Sequence, residues 1–145
     1  MSTAILLVDQ KESTAGIIRT YLKADGYKVS HTPDPQEAVD LASRSRYGLV
    51  VTDLVMREMT GIDLYREIRL RDSQTRFLFM QAPSVLSSAA EALMLMGSLE
   101  RDDVIKKEPL SMNEVICKVR AACPSPSPFD PSSSSVAAGG ATNSR

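Results

Sequence analysis

A chain of 145 residues with 17 basic and 18 acidic side chains can bury one core without a metal or disulfide staple, and its near-neutral balance gives no electrostatic case for nucleic acid or a membrane surface as partner. The two cysteines, Cys117 and Cys123, fall on different faces of one expected helix, too far apart to bond, which fits a reducing compartment. The opening MSTAILLVD lacks a basic n-region and a long apolar stretch, and nothing later approaches the roughly 18 apolar residues of a membrane span, so a cytoplasmic location is expected.

In chain order, Ala4 to Val8 is a continuous apolar run ending at Asp9, the pattern of a central strand buried on both faces. Ile17, Ile18, Tyr21 and Leu22 then recur at helical spacing from about Glu12, and Gly26 suits the close of that helix. Tyr27 to Ser30 reads as a short strand. Asp34-Pro35-Gln36-Glu37 opens the next helix, with Asp34 as cap, Pro35 at the first helical position and Glu37 able to reach back to the cap; it runs to about Ser43.

Gly48 to Asp53 repeats the apolar strand that ends in a carboxylate, and a loop leads to Gly61 and a helix carrying Ile62, Tyr65 and Ile68. Phe77 to Met80 makes a fourth strand, Ser84 to Met96 a fourth helix, and Asp103 to Lys106 a short fifth strand. Ser111-Met112-Asn113-Glu114 reads as a capping box opening the last helix, with Pro124 just beyond its end. From there the Ser/Pro-rich composition offers almost no large apolar residue to offset the entropy of ordering, so residues 1–123 are expected to form the domain and 124–145 a disordered tail. Five strands alternating with five helices predict a three-layer α/β/α sandwich around a parallel sheet.

In such a sheet the site forms beyond the carboxyl ends of the strands. Those ends supply Asp9, Asp53, Gln81 and Lys106 or Lys107. Two neighbouring carboxylates repel, and a divalent cation is the natural remedy; magnesium accepts two carboxylates, a carbonyl and water.

The segments ILLVDQ, LVVTDLVMREMTGIDLYREIR and VIKKEPLSMNEV resemble the three signature blocks of the receiver domain family of two-component response regulators, over roughly residues 3–122. In the middle block Asp53, Met56, Met59 and Gly61 stand at the offsets of the family's phosphorylation loop. The resemblance implies that Asp53 is the phospho-acceptor and that Asp9, Asp53 and the Val55 carbonyl hold Mg2+. It also implies that Lys107 contacts the phosphoryl group, that strand order is flavodoxin-like, 2-1-3-4-5, and that the donor is phosphohistidine on a histidine kinase or phosphotransfer protein.

The sequence departs from the family pattern at several positions. Gln10 replaces the second acidic residue, Gln81 stands where a small hydroxyl residue is usual, Arg57 where proline is usual, and the aromatic switch position on the fifth strand is aliphatic, Val104 or Ile105. Glu108 separates Lys107 from Pro109, which implies either a one-residue insertion or replacement of the lysine by glutamate; the rhythm of residues 102–107 favours the insertion. The bland reading of Lys107 is a solvated charge beside Lys106 and Glu108. Gln81 also reads as a polar loop-edge residue, and lone His31 as solvated, with no second histidine or cysteine nearby to make a metal site.

Seven methionines are mainly packing, but the stretch around Leu93, Met94 and Met96 is apolar enough to nominate a partner-binding face. The expected function is a single-domain response regulator, not an enzyme, that signals through an unknown downstream protein; the rival is a pseudo-receiver acting as a phosphorylation-independent interaction module. A haloacid-dehalogenase-type phosphatase would want an Asp where Val55 stands. A flavodoxin would want a phosphate loop where Asp9-Gln10-Lys11-Glu12 stands, which repels phosphate.

Overall fold

A computed structural model describes residues 3–81, 104–107 and 109–124. The strands are β1 (Ala4–Val8), β2 (Lys28–Thr32), β3 (Leu49–Asp53), β4 (Arg76–Gln81) and β5 (Val104–Lys106). The helices are α1 (Glu12–Ala24), α2 (Pro35–Arg44), α3 (Gly61–Arg71) and α4 (Met112–Ala122). The helix expected over Ser84 to Met96, with the nominated face at Leu93, Met94 and Met96, lies outside the described residues, as does nearly all of the expected tail.

All strands pair in parallel, in the order β2-β1-β3-β4-β5. This is the flavodoxin-like α/β arrangement. Period-two alternation divides the apolar side chains into two layers. Ile5, Leu7, Leu49, Val51, Leu78, Met80 and Ile105 face Ile18 and Leu22 of α1 and Val115 and Val119 of α4. Leu6, Val8, Val50, Phe77 and Phe79 face Ala38 of α2 and Ile62, Leu64 and Ile68 of α3. Each fully buried aliphatic or aromatic side chain contributes about 1.5–3 kcal/mol, so both faces of a continuous apolar strand stabilise the sheet.

The expected boundaries shift where hydrogen bonding decides them. Tyr27 is not part of β2: its N–H is taken by the Leu22 carbonyl at 3.1 Å in the closing turn of α1, where Gly26 has φ 99°. The register then runs on to pair Thr32 with Val8. Asp34 caps α2 through the Gln36 N–H at 2.9 Å, but Glu37 does not complete a box; its carboxylate accepts instead from the Thr32 hydroxyl. A reciprocal capping box does occur at α3, with Thr60 accepting from Asp63 N and Asp63 accepting from Thr60 N, both at 3.1 Å. The pair Thr60…Asp63 is itself a local signal, a hydroxyl residue followed three positions later by an acid. Ser111 caps α4 through Glu114 N at 3.3 Å.

Gly61 opens α3 directly beneath the end of β3. A Cβ there would lie 2.5 Å from the Asp53 carbonyl oxygen and 3.2 Å from Leu54 Cα, both backbone atoms that cannot swing away. Helix propensity alone would favour alanine by about 1 kcal/mol. The clash outweighs it, and Gly61→Ala is expected to lower unfolding stability by about 1–3 kcal/mol in urea titration.

Candidate functional site

The sheet order reverses between β1 and β3, and both strands end in aspartate. Asp9 follows β1 and is fully buried; Asp53 is the last residue of β3 and is 7% exposed. The third member arrives from the other side of the sheet. Lys107 follows β5, where its N–H bonds the Gln81 carbonyl at 2.9 Å and the chain turns back to bridge Leu110. Its Nζ lies 2.7 Å from Asp53 Oδ1 and 3.0 Å from Asp9 Oδ1. One ammonium therefore joins the two carboxylates.

With only 12% of its side chain exposed, Lys107 is not the solvated charge of the bland reading. Its reach to both carboxylates fits the one-residue insertion before Pro109.

Backbone amides also bond the two carboxylates. Gln10 N donates to Asp53 Oδ2 at 3.1 Å, and Lys11 N to Asp9 Oδ1 at 2.8 Å. Asp9 Oδ2 is buried without a hydrogen-bond partner among the described residues. Burial, then the neighbouring Asp9, push the Asp53 carboxyl up to about 6 although Lys107 pulls the other way. Burial depresses the Lys107 ammonium, but its bonds to Asp53 and Asp9 outweigh burial and hold it above the usual lysine value.

Among the other nominated residues, Val55 lies in the β3–α3 loop and is 37% exposed. Gln81 ends β4 half-buried, and its backbone carbonyl accepts from the Lys107 N–H. Gln10 turns its side chain away from the carboxylates, to Glu58 Oε1 at 2.9 Å, the Pro33 carbonyl at 3.3 Å and Arg57 N at 3.2 Å. His31 is not simply solvated: its Nε2 lies 3.1 Å from the Asp9 carbonyl oxygen. The parts played by Glu58, Arg57 and His31 have no local sequence signal, because each depends on which loops meet.

The sheet order, the strand-end aspartates and the bridging lysine define a receiver-type α/β domain. A family model for the response regulator receiver domain matches residues 5–120, and the chain belongs to that family, the receiver module of two-component signalling. It is 30% identical over 117 residues to the response regulator SaeR of Staphylococcus aureus (strain USA300), covering 81% of this chain and 49% of SaeR. The chain thus spans about half the length of that relative. The non-phosphorylated HemR receiver domain of Leptospira biflexa is 27% identical with a TM-score of 0.67, covering 83% of this chain and 93% of that one. A receiver domain protein of Clostridium thermocellum shares the fold at a TM-score of 0.70 and 22% identity, covering 85% and 94%. Among the described residues no helix is long and apolar enough to cross a membrane.

Two outcomes follow from the charges. A rise in the Asp53 pKa from 3.8 to about 6 on folding corresponds to about 3 kcal/mol. Because the folded state holds the proton more tightly, this cost is absent below pH 3.8, grows between there and about 6, and is complete above. Asp53→Asn, which keeps an acceptor for Lys107, is therefore expected to be more stable than the wild type by about 1–2 kcal/mol at pH 7.5, with the difference vanishing below pH 4 in urea titrations across pH. Lys107→Ala leaves two carboxylates facing each other without a counter-charge, and a loss of about 2–3 kcal/mol is expected at pH 7.5 in the same assay.

Proposed function

We propose that the chain accepts a phosphoryl group on Asp53 from the phosphohistidine of a histidine kinase or phosphotransfer protein, and passes the signal on through contact with another protein. The observation that carries this reading is the meeting of Asp9, Asp53 and Lys107 at one strand-end junction, with Lys107 Nζ within 3.0 Å of both carboxylates. Members of this family act in general as signalling modules rather than enzymes.

Phosphoryl transfer asks little covalent work of the acceptor beyond alignment and neutralisation of charge. Asp53, with a pKa of about 6, is mostly ionised at neutral pH and serves as the nucleophile. Its bond to phosphorus forms as the bond from phosphorus to the donor imidazole nitrogen breaks. Lys107 is placed to turn from the Asp53 carboxylate to the new phosphoryl oxygens, keeping Asp9 as its second partner. The added charge would then bias the loops after β3 and β5.

The residues suit Mg2+, a hard cation that takes oxygen ligands. Asp9 offers a buried oxygen with no partner among the described residues, Asp53 a second carboxylate, and the Val55 carbonyl lies in the adjoining loop. Bound there, the ion would offset charge on the transferring oxygens. Among the described residues no three acidic, histidine or cysteine side chains converge as a metal site.

Incubation of the full chain with Mg2+ and acetyl phosphate, read by intact mass, is expected to add one phosphoryl group to the wild type and none to Asp53→Asn. A folded wild type that gains no mass and binds no Mg2+ would leave the phosphorylation-independent interaction module as the better reading.

A further inference from the structure

Gln10 occupies the position next to the metal carboxylate Asp9, yet its side chain serves a different structure. The three atoms it meets belong to two loops: Pro33 to β2–α2, and Arg57 and Glu58 to β3–α3. The partners fix which way the amide points. Arg57 N–H can only donate, so it faces Oε1; the Pro33 carbonyl and the Glu58 carboxylate can only accept, so they face Nε2. An amide alone meets all three. A carboxylate of the same length would still accept from Arg57, but would turn its second oxygen against two acceptors, one of them charged.

Arg57 takes part through its backbone, and a proline at 57 would have no N–H to give. Two of the departures from the family pattern, Gln10 and Arg57, thus meet in one hydrogen bond. Through its own backbone N–H on Asp53 Oδ2, Gln10 also ties this arrangement to the acidic centre.

We propose that Gln10 is a positioning residue that clamps the β3–α3 loop, residues 54–60, to the ends of β1 and β2, rather than an acidic position that has lost its charge. Its bearing on phosphorylation rests on the reading of Asp53 given above, because that loop carries Val55 and leaves directly from Asp53. The clamp itself is a matter of hydrogen bonding and is testable apart from it.

Gln10→Glu separates the two views, since it restores an acid while removing both donors. Hydrogen exchange followed by mass spectrometry on the full chain without Mg2+ is expected to show amides of residues 54–60 exchanging about tenfold faster in Gln10→Glu, with β4 unchanged as the control for folding. The exchanged pair Gln10→Glu with Glu58→Gln restores the bond between residues 10 and 58, the one that reaches the loop side chain, while leaving the Pro33 carbonyl without its donor, and is expected to return exchange of residues 54–60 to within about threefold of the wild type. Arg57→Pro loses its N–H and is expected to loosen the same loop. Unchanged exchange in folded Gln10→Glu, or loosening that the exchanged pair does not repair, would overturn the clamp. The same proteins incubated with acetyl phosphate and Mg2+ are expected to show slower Asp53 phosphorylation in Gln10→Glu and recovery in the exchanged pair. A wild type that is never phosphorylated would remove the reading of Asp53 while leaving the exchange data to decide the clamp.

Discussion

Two buried carboxylates held by one ammonium set the terms for the rest of this molecule. Asp9 and Asp53 are costly neighbours: both are withdrawn from water, and the nearby Asp9 opposes ionisation of Asp53. Lys107 moderates that cost without cancelling it, which is why the Asp53 carboxyl remains well above its ordinary pKa.

The sheet makes the arrangement possible. Parallel pairing brings the ends of β1, β3, β4 and β5 to one edge, and the reversal of order places Asp9 beside Asp53 although 44 positions separate them in the sequence. Continuous apolar strands then anchor the charged groups, with β1 and β3 covered on both faces by helices. Gly61 lets α3 begin hard against the Asp53 carbonyl, so the acidic strand end and the helix after it form a compact corner.

The fold was legible because it rests on local pattern. Apolar runs of five or so residues, capping residues and turn glycines sit together in the chain, and they mark the described strands and helices to within a few positions. Asp9 and Asp53 were legible for the same reason, as polar ends of apolar runs. The choice between Lys106 and Lys107 was harder, because adjacent lysines look alike until strand register exposes the first and directs the second inward. Gln10 and His31 are less legible, and Glu58 carries no local signal at all. Gln10 was visible as a departure from an acidic pattern, but its use depends on three loops meeting, and no periodicity encodes that.

A group of contacts at the opposite end of the sheet ties the two ends of the described domain together. The Tyr27 hydroxyl donates to the Cys123 carbonyl, while the next residue, Lys28, bonds the Thr3 carbonyl at 3.4 Å; Arg120 and Asp25 close a two-pronged ion pair alongside. Residues 3 and 123 are thus pinned to the same short stretch at the start of β2, away from the strand ends that carry Asp53. Polypeptide joined on either side would share one point of attachment, like a pendant hung by both cords from one hook, with Asp9 and Asp53 at the opposite end of their strands.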